Sequence, residues 1–150
     1  MESYRLDKDS LGEVKVPSNA YYGPFTVRAS NQYKVTGQKP HLSMIKAFAM
    51  IKRSAALANR DLNILPAEKA DAIVKACDEI LSGNLLDQFI VDTINSGAGT
   101  AFNMNINEVI ANRALEISGH NIGDYSFMNP NDDVNMSQSS NDTFPTAMHI

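Results

Sequence analysis

Between Pro66 and Gly83 the chain places Ala70, Ile73, Val74, Cys77, Ile80 and Leu81 at steps of one, three and four residues. On an α-helix that spacing gathers them onto one apolar face, which must be buried against another element. Pro66 suits a first-turn position, and Gly83 can close the helix in a left-handed cap. Asp71 and Lys75 fall four residues apart on the solvent side. A helix also begins near His41, with Leu42, Ile45 and Ala49 at helical spacing and Lys46, Arg53 and Arg60 forming a polar stripe. The two segments meet around residues 63–65, which implies an antiparallel helical hairpin. A third helix is expected from near Thr100 to Gly119, with Val109, Ile110, Ala114 and Ile117 in the core.

The flanks read differently. Gly12, Pro17, Gly23, Pro24, Gly37 and Pro40 punctuate the first forty residues. Only short extended pieces fit between them, such as residues 13–16 and 32–35. Residues 120–140 are a polar loop rich in Asn, Asp and Ser. A fourth helix is expected after it, starting near Asp142 or Thr143, with Pro145 tolerated in the first turn. That helix has little room before Ile150, so the sequence reads as part of a longer protein. There is no internal repeat.

Composition narrows the class. The 150 residues are 43% hydrophobic and 20% charged, as in a globular domain with a sizeable core. A net charge of −4 gives no global attraction to nucleic acid or to an anionic membrane, so an anionic ligand needs a local cluster of donors. Cys77 is the only cysteine, which excludes an intrachain disulfide and a Cys-rich zinc site. The N-terminus lacks an apolar signal core, and no stretch is long and apolar enough to span a bilayer. A cytoplasmic setting is the expectation.

Two helix starts are candidates for holding a carboxylate. In Gly97-Ala98-Gly99-Thr100 the small residues allow close backbone approach, the helix start offers N–H donors, and Thr100 adds a hydroxyl. The same residues also fit a glycine turn with Thr100 as an ordinary N-cap. In Ser137-Gln138-Ser139-Ser140-Asn141-Asp142-Thr143 seven consecutive small or polar residues exceed the needs of one cap. Hydroxyls, an amide and backbone N–H groups there could surround a carboxylate without a net charge; an elaborate cap and loop is the alternative. Asp132 and Asp133 do not follow the spacing of an EF-hand and read as turn-formers bonded to their own backbone. Asn103, Asn105 and Asn107 are poor helix formers, explained either by amides bridging helices or by donors facing a pocket. His41, His120 and His149 lack a nearby nucleophile or metal-ligand spacing, and Cys77 reads as an inert core thiol.

In order, Tyr21-Tyr22-Gly23, Gly97-Ala98-Gly99-Thr100 with Asn103-Met104-Asn105 and Asn107-Glu108-Val109, and Pro130-Asn131-Asp132-Asp133-Val134-Asn135 running into Gln138-Ser139-Ser140-Asn141-Asp142 resemble the fumarase/aspartase superfamily over essentially the whole chain. The resemblance implies a mainly α fold: an N-terminal helical domain with short extended segments, residues 1–139, leading at residues 140–150 into a long helical bundle. It implies a homotetramer whose active sites draw on three subunits. It also implies elimination of water or an amine from a succinyl-type dicarboxylate, with no cofactor and no metal. Thr100, Ser139, Ser140 and Asn141 match substrate-binding positions. The catalytic base and acid are expected beyond residue 150, so this chain is expected to be inactive alone.

Within that superfamily, Gly97-Ala98-Gly99-Thr100, Tyr21-Tyr22-Gly23, the segment from Asp87 to Asp92 and Asn129 resemble the branch that deaminates aspartate. Ser139-Ser140, Asp132-Asp133 and the segment from Thr143 to Met148 resemble the branch that hydrates fumarate. Deamination of L-aspartate is the favoured expectation and hydration of fumarate the alternative. A non-catalytic structural or interaction module is the alternative from a different class.

Overall fold

Residues 3–150 are described by a computed structural model of the chain. Strands β1 (Tyr4–Asp9) and β2 (Gly12–Pro17) form an antiparallel hairpin in which Leu6 faces Lys15 and Asp9 faces Gly12. Side chains of β1 tie the open end of the hairpin to the loop that follows β2. Arg5 donates to the carbonyls of Pro17, Ala20 and Tyr22, while Asp7 accepts from its guanidinium. The expected extended piece at 13–16 lies within β2. The one at 32–35 is not a strand, because Gln32 ends helix α1 (Pro24–Gln32). Pro24 had read as a breaker, yet it occupies the first helical turn, where its missing N–H costs nothing.

Helices α2 (Leu42–Asp61) and α3 (Ala67–Leu81) form the expected antiparallel hairpin. Ile45, Ala49, Ala70, Ile73, Cys77 and Ile80 are buried between them and the rest of the core, whereas Leu42 remains 43% exposed. His41 caps α2 by accepting from the Ser43 N–H. Pro66 sits just before α3 as its cap residue rather than inside the first turn. Asp71 turns back to Arg60 on α2 at 2.9 Å. Burial raises the Cys77 thiol well above its ordinary range, consistent with an inert core position.

Helix α4 (Thr100–Ile117) runs through the centre of the molecule, packed on α1, α2 and α3 and on helix α5 (Ser140–His149). Its burial extends around the whole circumference, so Asn103, Asn105, Asn107, Glu108 and Asn112 are buried with Ile106, Val109 and Ile110. Polar groups in that position must find partners inside the protein. Asn105 accepts from the Ile90 N–H and donates to the Gln88 carbonyl, and Asn112 donates to the Tyr21 carbonyl. Both bind loop backbone to the helix. Glu108 accepts from the backbone N–H groups of Gly23, Phe25 and Thr26 at 2.9–3.0 Å, so a carboxylate of α4 caps the start of α1.

The loop expected at 120–140 contains a wide helical turn at Pro130–Val134, in which the Asn135 N–H reaches the Pro130 carbonyl five residues back. Asn129 accepts from Asn131 and Asp132, while Asp133 pairs with Lys69 of α3 and accepts from the Asn129 N–H. These contacts bear out the turn-forming role for Asn129 and Asp133, while the Asp132 carboxylate accepts from the Asn131 side-chain amide instead of from backbone. Helix α5 starts earlier than expected, with Ser139 as its cap residue, which places Pro145 inside the helix instead of in its first turn. Among the described residues no helix is long and apolar enough to cross a membrane.

Candidate functional site

The two helix starts singled out by sequence are neighbours in space. Gly97, Ala98 and Gly99 all take positive φ, and the ring of Phe144 from α5 lies directly against Gly99. A Cβ at position 99 would overlap that ring, so only glycine lets α4 and α5 begin side by side. Phe144 also leans on Phe48 of α2, its ring centroid 6.0 Å away, and Phe48 meets Phe102 edge-on at 4.9 Å. This aromatic cluster forms an apolar floor under the two helix starts.

One turn into α4, Asn103 makes the polar connection. Its buried amide donates to the Ser140 hydroxyl oxygen at 2.7 Å and to the Asn135 carbonyl oxygen at 3.1 Å. Accepting from Asn103 occupies a lone pair of Ser140 and leaves its O–H free to donate outward. The Ser139 hydroxyl caps α5 by accepting from the Asn141 N–H at 3.2 Å, so its proton is likewise free. The Asn141 side-chain amide makes no hydrogen bond among the described residues, and Ser139 and Asn141 are both exposed. Two hydroxyl donors and an amide therefore stand together at the positive end of a helix. Such a set has the chemistry to bind a carboxylate oxygen, and its hold would strengthen as negative charge grew on that oxygen.

Thr100 is oriented differently. Its hydroxyl donates to the Gly97 carbonyl at 2.7 Å, turned back onto its own loop, and it occupies the first turn of α4 while Gly99 is the cap residue. Ser137, in a left-handed conformation at φ 62°, reverses the chain just before the Ser139 turn. Gln138 braces that turn from within, donating to the carbonyls of Val134 and Met136, while Asn135 donates to the Gln138 carbonyl.

Sequence reasoning missed one residue of this cluster. Lys52 of α2 is fully buried, and its ammonium donates to the side-chain carbonyl oxygens of Asn135 and Gln138 at 2.8 and 2.9 Å. The signal was present: Lys52 follows Ile45, Phe48 and Ala49 on the face continued by Ala56 and Asn59, at helical spacing. It lay hidden because a lysine is ordinarily assigned to the solvent face. Burial pushes its ammonium down to about 7.

Among the described residues no histidine hydrogen-bonds to this corner. His120 stacks on Phe127 at 3.8 Å between ring centroids, with Asp124 at 3.2 Å. A separate concavity of about 480 Å³ lies between the hairpin tip, the start of α1 and the wide turn. Asp9, Glu108, Tyr125 and Asn129 are in its lining, and the 139–141 turn is not.

A family model for lyases matches residues 12–150. The chain belongs to the fumarase/aspartase superfamily. An aspartate ammonia-lyase of Bacillus subtilis is 56% identical over 99% of this chain, and a class II fumarate hydratase of Pasteurella multocida is 51% identical over 99%. The chain spans about a third of the length of these curated relatives, 31% and 32% respectively. A crystal structure of a fumarate lyase:delta crystallin from Brucella melitensis superposes with a TM-score of 0.94 at 51% identity, over 97% of this chain and 34% of that one. A class II fumarase from Schistosoma mansoni superposes with a TM-score of 0.92 at 40% identity, over 97% and 31%. The mainly helical superfamily fold expected from sequence is thus the fold observed.

Proposed function

We propose that this chain contributes the dicarboxylate-binding surface of a carbon–nitrogen lyase that reversibly converts L-aspartate to fumarate and ammonia. The observation that carries the reading is the Ser140 hydroxyl, filled from behind by Asn103 and free to donate outward beside the Ser139 hydroxyl and the Asn141 amide. In that role the three side chains bind one carboxylate of the substrate. They hold the extra negative charge that develops on it when a base removes the neighbouring proton. Thr100 joins them by turning its hydroxyl from the Gly97 carbonyl to the ligand. The base and the acid that protonates the leaving group come from outside this group of residues. The proposed setting is a cytoplasmic homotetramer, with residues 1–139 as the N-terminal domain and residues 140–150 opening the central bundle.

The 56% identity to an aspartate ammonia-lyase and the Gly97-Ala98-Gly99-Thr100 segment support deamination. Ser139-Ser140 and the segment from Thr143 to Met148 favour a second reading, hydration of fumarate to L-malate, and relatives of that kind reach 51% identity. The test is fumarate formation by the complete protein from L-aspartate and from L-malate. Turnover of aspartate is expected, and turnover of malate alone would replace the first reading by the second.

A further inference from the structure

The interior holds a cation that the reading above does not use. Lys52 is 0% exposed, and its ammonium contacts two neutral amide oxygens and no carboxylate among the described residues. A buried ammonium without a counter-ion is costly, and the cost falls when an anion arrives within reach of its field. Both acceptors belong to the segment that carries the donor turn. Gln138 directly precedes Ser139, and Asn135 shares its side-chain oxygen between Lys52 and Asn103, which in turn donates to Ser140. The charge therefore sits behind the hydroxyl donors, on the protein side of the turn.

We infer that Lys52 is a positioning residue for the dicarboxylate site, its buried charge holding the 138–141 turn in shape and supplying the positive potential that an otherwise neutral donor set lacks. The inference rests on the proposed site at Ser139, Ser140 and Asn141. Lys52 does not touch the ligand; it acts through Gln138, Asn135 and Asn103. The groups facing it are the Cys77 thiol from α3, kept neutral by burial, the neutral amide of Asn103 from α4, and Asn135 and Gln138 from the turn. Arg53, next on its own helix, is engaged with Asp78. The ammonium loses its proton near neutrality, since burial pushes it down to about 7, so its help to an anion fades as pH rises through that value.

The test uses the complete protein as wild type, Lys52→Met and Lys52→Arg, with equilibrium binding of succinate, a dicarboxylate that cannot react, measured from pH 6 to pH 9 beside turnover and thermal unfolding. Removing a charge that acts through hydrogen-bonded amides is expected to weaken succinate binding about tenfold at pH 6. The deficit of Lys52→Met relative to wild type should shrink toward pH 9, where wild-type Lys52 is itself neutral. Lys52→Arg, charged throughout, should bind as wild type does at pH 6 and lose less at pH 9. A deficit of Lys52→Met that is the same at every pH, or absent, would overturn the inference and leave the lysine a packing role. Should Lys52→Met fail to fold, the comparison of Lys52→Arg with wild type decides by itself: identical pH dependence overturns the inference. Binding that follows Lys52 without turnover of aspartate or malate would defeat the lyase reading alone. Wild-type protein that does not bind succinate would defeat both.

Discussion

Asp92 anchors the loop that leads out of α1. It is buried and accepts from the backbone N–H groups of Val35, Thr36, Gly37 and Ile94 and from the Thr36 hydroxyl. Burial alone would raise its carboxyl, but these five donors outweigh it and hold the group well below the ordinary carboxylate range. A depressed folded-state value contributes stability that is present above the unfolded value, near 4, and is lost as pH falls below it. The urea midpoint of the wild type is therefore expected to fall between pH 5 and pH 2 more steeply than that of Asp92→Asn. Parallel curves would show that Asp92 is not the responsible group. Asn103 is the corresponding residue in the proposed site. Asn103→Leu removes donors from Ser140 and Asn135 at a buried junction, which costs about 1–3 kcal/mol of stability. Chemical denaturation reads this loss, and succinate affinity should fall with it because the Ser140 hydroxyl is then free to rotate inward.

At the scale of elements, the start of α1 depends on a residue 82 to 85 positions away in the chain. Glu108 replaces the local N-cap that Gly23 cannot supply, since glycine has no side chain with which to accept. Burial nonetheless pushes its carboxyl up, with the three N–H groups and Thr26 pulling against it. Glu108→Gln keeps the shape but directs an amide N–H₂ toward backbone donors, and about 1–3 kcal/mol of destabilisation is expected. Hydrogen exchange locates the damage: the amides of α1 should exchange faster while those of α3 remain protected. Uniform acceleration across the chain would instead mean that Glu108 supports the whole core. The contact of Gly99 with Phe144 works on the same scale, because it sets the separation of two helix starts and thus whether their donors face one ligand.

At the scale of the whole molecule, the proposed donor set stands without a base bonded to it among the described residues: no hydrogen bond brings a titratable base to the hydroxyls of Ser139 or Ser140. The 150-residue chain by itself is accordingly expected to form no fumarate from L-aspartate or L-malate, and measurable turnover by the purified chain would overturn that expectation. Much of the architecture was legible beforehand for a local reason. Helical periodicity is written into consecutive residues, so α2, α3 and α4 follow from Ile45 and Ala49, from Ala70 to Ile80, and from Val109 to Ala114. The donor-rich run from Ser137 to Thr143 was legible as well, because its composition exceeds what one helix cap needs. Other features depend on which elements meet. Sequence spacing does not reveal that Gly23-Pro24 opens a helix capped from α4, or that Gln32 closes it. Nor does it reveal that Asn103, Asn105 and Asn112 of α4 are bridging amides, with Asn103 aimed at Ser140, while Asn107 bonds only within its own helix. Above all, a lysine among apolar neighbours has a local sequence compatible with snorkelling to solvent. Only the packing of α2 against the 135–138 segment decides that the Lys52 charge stays inside, behind the turn, where it can act on an anion.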